Sequence, residues 1–495
     1  AQRAMTVTYN AAVALLSGKD GARVAYVDET RSITYAELEE RANRAGNLLR
    51  ALGVQREQRV LLVMHDTIDF PAMFLGAIKA GIVPVPINTL LAPKDYAFMI
   101  DDSRARAMIV SDALAEKVGA PIDVRVVRTS ELEALLEAQS SQLEAARTHA
   151  DEIAFWLYSS GSTGTPKGAM HLHASIEKTV ELYAKGTLGI RKDDVVFSAA
   201  KLFFAYGLGN ALTFPLSIGA TTILASERVT PALVARVMEK HAPTIFCGVP
   251  TLFASLLADP TFVVSKKLRV SISAGEALPK HVGQAWRDRF GSDILDGIGS
   301  TELLHIFLSN RHGDVKYGTS GKPVHGYTLE IRGDDGAPCG DGEEGVLWVR
   351  GTTACAGYWN NREKSLETFH GAWTRTGDRY VRDEDGYFTY SGRADDMLKV
   401  SGIWVSPFEV ESALASHEAV LEAAVVGHAD ADELVKPKAF VVLKDAAREG
   451  AELEAELKTW VKSKLAPYKY PRWIEFVREL PKTATGKIQR FKLRA

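Results

Sequence analysis

The sequence predicts an α/β protein: a large N-terminal domain of helix-covered parallel sheets, a small β subdomain, and a small α+β domain at the C-terminal end. Three observations carry this. Apolar strand-like runs alternate with amphipathic stretches from about residue 34 to residue 290. From about Gly345 the apolar runs shorten and turn residues crowd in. After Arg393 a separate set of about a hundred residues reads helix, strand, strand, helix, strand.

The elements follow in order. Thr34-Tyr-Ala-Glu37 is a capping box that opens a helix running to Gly53. The apolar run 60–64 is a buried strand, followed by helix 71–79, strand 83–87, helix 95–100 and strand 107–111. The alanine- and glutamate-rich stretch 131–147 reads as one solvated helix. Strands are expected at 195–199, 222–225, 245–249 and 270–274, with helices at 231–241 and 279–290. Short strands at 346–350 and 387–390 belong to the β subdomain. The C-terminal set comprises helix 407–417, strands 422–426 and 439–443, helix 452–465 and strand 473–477. The polar junction Gly392-Arg-Ala-Asp-Asp396 divides the chain into domains 1–393 and 397–495, joined through 394–396.

At 495 residues the chain can bury a core in each of two or more domains. Its 46% hydrophobic and 24% charged content is that of an ordinary soluble globular protein. A net charge of −3 gives no long-range attraction to nucleic acid or an anionic membrane, so neither is expected as a partner. Cys247, Cys339 and Cys355 stand far apart, without a CxxC or a His/Cys cluster at metal spacing, which suits a reducing cytosol. There is no charged-then-apolar leader pattern and no apolar run of 18 residues, so a cytoplasmic location is expected.

The segment Tyr158-Ser-Ser-Gly-Ser-Thr-Gly-Thr-Pro-Lys-Gly168 is the most informative stretch. It follows the apolar run 153–157 and precedes residues that read as a strand (Ala169, Met170, Leu172). Gly161, Gly164 and Gly168 let the backbone turn its N–H groups toward one point. The hydroxyls of Ser159, Ser160, Ser162, Thr163 and Thr165 add donors, and Lys167 adds a point charge. Such a set cradles a polyphosphate. It is not a Walker A loop, because Lys167 follows a proline and opens no helix. Nor is there a dinucleotide fingerprint: Gly207-Leu-Gly209 lacks the third glycine.

With Ser273-Ala-Gly-Glu276, Gly297-Ile-Gly-Ser-Thr-Glu302, Thr376-Gly-Asp378, Gly392-Arg-Ala-Asp-Asp396 and Pro481-Lys-Thr-Ala-Thr-Gly-Lys487 in the same order, the chain resembles the adenylate-forming superfamily from about Thr34 to its end. This superfamily contains acyl- and aryl-CoA synthetases, nonribosomal adenylation domains and luciferases. Within it, 201–208 and 297–310 look most like benzoate-CoA ligases.

The resemblance implies a two-step reaction. A carboxylate is a poor electrophile; transfer to the α-phosphate of ATP supplies AMP as leaving group, and thiol attack then gives the thioester. Fixed positive charge and donors must therefore surround the phosphates. ATP, Mg²⁺ and coenzyme A are the implied cofactor and co-substrates, and benzoate the acid. Other aryl acids, hydroxybenzoate or aminobenzoate, and loading of a carrier protein are the alternatives. The partners expected are small molecules, with the protein a monomer or homodimer.

By the same resemblance, Ser159–Lys167 holds the β- and γ-phosphates. Glu302 is the magnesium ligand, one carboxylate being enough for a cation also held by phosphate, and Thr301 donates to the α-phosphate. Asp378, in a turn-like Thr-Gly-Asp, takes the ribose hydroxyls with Arg393 nearby. Ala274, Gly275 and Glu276 line one adenine face, Gly297 and Ile298 the other, and Asp296 reaches the exocyclic amine. Ile298 departs from the aromatic residue usual in the wider family. Phe204, Ala205, Tyr206, Gly299, His305 and Ile306 form the aryl pocket, with Tyr206 near the ring or carboxylate and His305 toward the floor. Lys487 bridges carboxylate and α-phosphate in the first step, Asp395 is the hinge, and Lys399, Gly402 and Trp404 meet coenzyme A in the second.

Overall fold

The computed structural model describes residues 8–160, 165–400, 403–431, 434–482 and 488–494. Its N-terminal part is built on two sheets. One is wholly parallel, in the order Val83–Pro86, Arg59–Val63, Ala107–Val110, Arg125–Arg128. The hairpin Ile153–Ser160/Pro166–Leu172 packs at its Val83–Pro86 edge. The other sheet has nine strands, parallel from Val24–Val27 to Ile294–Gly299 and antiparallel at both margins. Central strands such as Ile245–Gly248 and Val270–Ser273 are buried along their whole length, as parallel strands covered on both faces must be.

Helices Tyr35–Ala51 and Asp69–Lys79 contribute to the largest core and touch closely. A Cβ on Gly76 would lie 2.3 Å from the Ala42 carbonyl oxygen, so glycine sets that approach. The expected capping box is present: Thr34 Oγ1 accepts from Glu37 N, and Glu37 accepts from Thr34 N at 2.8 Å.

The long helix expected over 131–147 is a correction. The helix is Thr129–Glu137. Beyond it the chain runs irregularly because polar side chains of the neighbouring helix capture its carbonyls: Asn43 bonds Ser141 O, and Asn47 bonds Ser140 O and Gln142 O. Leu132 and Leu136 are buried, so the segment is also not solvated all round.

The β subdomain has five strands, among them Glu344–Arg350, Trp373–Arg382 and Phe388–Arg393. Asp378 lies within the second of these rather than in a turn; Gly377, at φ +76°, interrupts the strand locally. The C-terminal unit packs helices Pro407–Ala415 and Ala451–Lys464 on the sheet Val420–Ala429, Val435–Leu443, Trp473–Phe476 around its own core. It docks on the N-terminal part, with the Phe408 and Tyr390 rings 5.3 Å apart. Among the described residues no helix is long and apolar enough to cross a membrane.

Candidate active site

The phosphate-cradle sequence spans the tip of the hairpin. Ser159 pairs with Lys167 and Ser160 with Pro166 across the ladder. Gly161, Ser162, Thr163 and Gly164 lie outside the described residues. Strand burial explains the placement: Ala154–Leu157 are buried, and the hairpin carries the polar tip out from them.

Against this hairpin stands the loop between strands Ile294–Gly299 and Ile306–Ser309, which holds Thr301 and Glu302. Ser159 Oγ donates to Glu302 Oε1 at 3.1 Å, and the Tyr358 hydroxyl donates to the same oxygen at 2.8 Å. Among the described residues Oε2 receives no hydrogen bond. Lys167 Nζ lies 5.1 Å from the centre of the Tyr358 ring. Tyr358 was missed in the sequence; its signal is Gly357-Tyr-Trp359, whose backbone joins the cradle strand through Trp359 N to Gly168 O at 2.8 Å. His171 stacks on Phe155 at 5.1 Å, fully buried, and burial pushes its pKa down to about 4 against the pull of Glu302.

Among the described residues no three ligating groups cluster as a protein-only metal cage. One carboxylate with a spare oxygen beside a phosphate cradle does fit a magnesium ion held mainly by phosphates.

The expected nucleotide residues sit at strand ends. Ala274, Gly275 and Glu276 follow strand Val270–Ser273, and Gly275 adopts φ +95°. Asp296 and Gly297 lie in the adjacent strand, buried, with Ile298 beyond them half-buried. Burial pushes the Asp296 carboxyl well above its usual range, and among the described residues its Oδ1 has no hydrogen-bond partner. Asp378 and Arg393 are register partners, and Arg393 donates to Asp378 Oδ1 at 2.9 Å. Asp378 is the main cause that holds the Arg393 guanidinium above its ordinary pKa.

The structure brings the expected aryl residues together. Phe204 precedes the short helix Ala205–Leu208. The Tyr206 hydroxyl is shared between the carbonyl oxygens of Gly248 and Ile272, each at 3.1 Å, at neighbouring strand ends. It therefore anchors the wall. His305 Nε2 lies 3.3 Å from Tyr206 O, while its ring is caged by Tyr183, Phe214 and Tyr206 at 5.1, 4.5 and 5.8 Å. Burial pushes its pKa down to about 3, and among the described residues Nδ1 has no hydrogen-bond partner. Ile306 is buried beside it. Gly209 and Gly299 make room: a Cβ would fall 2.3 Å from His305 Cδ2 at the first and 2.4 Å from His305 O at the second. Tyr183 and Phe214 carried no sequence signal beyond apolar periodicity.

Lys487 and Gly402 lie outside the described residues. Lys399 and Trp404 are backbone partners in the hairpin Leu398–Val400/Ile403–Val405; their side chains are likewise not described. Asp395 is exposed in the turn after Phe388–Arg393 and within electrostatic reach of Arg393 and Lys364. Ile488, next to Lys487 in the chain, donates its N–H to Glu276 Oε1 at 2.9 Å. Glu276, expected against adenine, thus also meets the C-terminal unit.

Known proteins resemble this chain over nearly its whole length. The pattern of the AMP-binding enzyme family matches residues 17–359, and that of the AMP-binding enzyme C-terminal domain matches 409–487. The chain is 57% identical over 97% of its length to the benzoate–CoA ligase of Thauera aromatica, covering 94% of that protein. It is 49% identical to the 4-hydroxybenzoate–CoA/benzoate–CoA ligase of Rhodopseudomonas palustris, over 98% of this chain and 94% of that one. Among solved structures, a benzoate CoA ligase from Burkholderia xenovorans superposes with TM-score 0.93 at 52% identity, covering 98% of this chain and all of that one. An anthranilate CoA ligase in complex with anthranoyl-AMP superposes with TM-score 0.96 at 42% identity, over 99% and 97%.

Proposed function

Because the chain belongs to the family of AMP-binding enzymes, we propose that it ligates benzoate to coenzyme A at the expense of ATP, through benzoyl-AMP. Pyrophosphate leaves in the first step and AMP in the second. What supports this reading is the apolar wall made where the Tyr206 ring meets His305, with Ile306 buried next to it, on the strand whose preceding loop brings Glu302 to the phosphate hairpin. A flat ring fits such a wall better than an extended chain does.

In the first step a benzoate oxygen attacks the α-phosphorus and the bond to the bridging oxygen of pyrophosphate breaks. Residues 159–167 hold the departing phosphates, and Thr301 donates to the α-phosphate. Glu302 would hold magnesium, which neutralises phosphate charge when bound; Ser159 and Tyr358 fix that carboxylate. Asp378 takes the ribose hydroxyls, and Asp296 offers its unpartnered oxygen to the adenine amine. A carboxyl kept from water there needs such a partner. Lys487 stabilises charge shared between carboxylate and α-phosphate. Rotation about Asp395 then exchanges the Lys487 face for the 399–404 face, and the thiolate of coenzyme A displaces AMP. On this reading domains 1–393 and 397–495 are the moving units, and the enzyme is a cytoplasmic monomer or homodimer.

Small ring substituents are also accommodated on this reading. The unpartnered Nδ1 of buried His305 favours a polar group on the ring, and relatives are named for hydroxybenzoate and anthranilate. The test is a panel of acids followed by pyrophosphate exchange and by AMP release dependent on coenzyme A. Benzoate should turn over fastest, with amino- and fluorobenzoates close behind. Faster turnover of an aliphatic acid would overturn the aryl reading, and thiol-independent AMP release would overturn the ligase reading.

A further inference from the structure

The aryl wall hangs from a buried acid that belongs to the other sheet. Asp66 follows strand Arg59–Val63 and is 4% exposed. Both its oxygens face the N–H of Leu202, at 3.3 and 3.2 Å. Leu202 is fully buried and begins the segment that continues through Phe204, Ala205 and Tyr206.

The geometry passes any shift of Leu202 on to the wall. Phe204 N donates to Lys201 O at 3.1 Å, and Leu208 N donates to Phe204 O at 2.7 Å. A Cβ on Gly207 would stand 2.0 Å from Lys201 O, so the turn is closed on itself with no slack. Lys201 Nζ donates to the carbonyl oxygens of Ala225 and of Glu227, the latter at 2.7 Å. The far end is fixed by the Tyr206 hydroxyl on Gly248 O and Ile272 O. The wall is therefore a short span with one foot on each sheet.

A carboxylate is an expensive choice for the first foot. Burial raises the Asp66 pKa to about 6, opposed by Lys201 and the Leu202 N–H and reinforced by Glu29. Tyr26, also buried, lies within its electrostatic reach. A residue held there against desolvation, with a single backbone N–H as hydrogen-bond partner among the described residues, acts on that backbone.

We infer that Asp66 is a positioning residue for the aromatic acid: through the Leu202 N–H it fixes the depth of the Phe204–Tyr206 wall, and so the fit of the ring, without touching substrate or nucleotide. This rests on the reading of 204–206 as the acid pocket.

The test uses the full-length enzyme with Asp66→Ala and Asp66→Asn, pyrophosphate exchange with benzoate and ATP varied in turn, thermal unfolding, and hydrogen exchange at Leu202. Asp66→Ala should raise the benzoate KM about tenfold while the ATP KM stays within about twofold. Asp66→Asn keeps an acceptor for the Leu202 N–H and should raise the benzoate KM about threefold. Exchange at Leu202 should speed up in both. A folded alanine variant with unchanged benzoate KM, or with both KM values raised equally, overturns the inference. If the alanine variant does not fold, the asparagine variant decides by the same criteria. Leu202 exchange is read without substrate, so a wild-type enzyme inactive on every aryl acid would sink the pocket reading alone, whereas unaltered exchange would sink the role of Asp66.

Discussion

The backbone N–H of Ile488 donates to Glu276 Oε1 across 2.9 Å, joining the C-terminal unit to the segment that follows strand Val270–Ser273. Arg490, two residues on, is held at 2.6 Å by Glu411 and stands 3.8 Å from Asp396. Glu276 also acts on it electrostatically. If Lys487 acts in the first step, as proposed, a carboxylate that holds the backbone of the next residue should serve that step. Glu276→Ala should slow benzoyl-adenylate formation about tenfold, since a hydrogen bond to a charged group contributes about 1.5–3 kcal/mol. Conversion of supplied benzoyl-adenylate to thioester should stay within about twofold. Pyrophosphate exchange and single-turnover thioester formation read the two steps; equal losses would contradict the assignment.

Tyr358 and Ser159 donate to the same oxygen of Glu302, and with Glu302 as the proposed magnesium ligand the loss of the Tyr358 hydroxyl should be felt as metal affinity. Tyr358→Phe keeps the ring under Lys167 and deletes only the hydroxyl on Oε1. Groups that orient a metal ligand typically matter by about 10–100-fold in affinity. The magnesium concentration for half-maximal exchange should therefore rise at least about tenfold, with little change in the thermal midpoint. An unchanged magnesium titration would remove Tyr358 from the site.

The parallel strands were legible where strand and helix alternate cleanly in the sequence, whereas their order in the sheets was not. Strands such as Ile245–Gly248 and Val270–Ser273 are short, rich in apolar or small residues and buried along their whole length. The stretch after Glu137 was not legible, because Asn43 and Asn47, nearly a hundred residues away, decide that its carbonyls are not spent on a helix. The site divides the same way. Ser159, Glu302 and Asp378 announce themselves in local motifs, whereas Tyr358, marked only by the short Gly357-Tyr-Trp359, and Asp66, with no signature of its own, act by meeting a distant atom. Tyr206, expected near the ring or carboxylate, is instructive: its hydroxyl donates to the carbonyls of Gly248 and Ile272, a contact that no local pattern announces.

On the proposed reading Lys487 and Asp395 should separate the two half-reactions. Lys487→Ala should lower acid-plus-ATP activity by about a hundredfold or more, on the order of 3 kcal/mol for a donor that acts on developing charge. Thioester formation from supplied benzoyl-adenylate should survive. Asp395→Pro fixes φ in the exposed turn after strand Phe388–Arg393, and should do the reverse. Unchanged overall turnover in the proline variant would count against rotation at this point.

Three buried histidines should make the fold labile in mild acid. Burial lowers the pKa of His171 and His173 to about 4 and that of His305 to about 3. In the unfolded chain each titrates near ~6.5, so between pH 6.5 and 4 the unfolded state binds more protons. Their contribution is complete above about pH 6.5 and falls as the pH drops, by about 2 kcal/mol per histidine at pH 5. Asp66 works in the opposite sense, because its folded pKa is raised to about 6; at pH 5 it offsets about 1.4 kcal/mol of the loss. Asp296, whose carboxyl burial also raises, offsets more of it, so urea unfolding should show a net fall from pH 7.5 to pH 5 smaller than the roughly 6 kcal/mol of the three histidines alone. His171→Leu removes one titrating ring from the core and should cut that pH dependence by about 2 kcal/mol. An equally steep profile in this variant would show that His171 does not stay neutral in the folded protein.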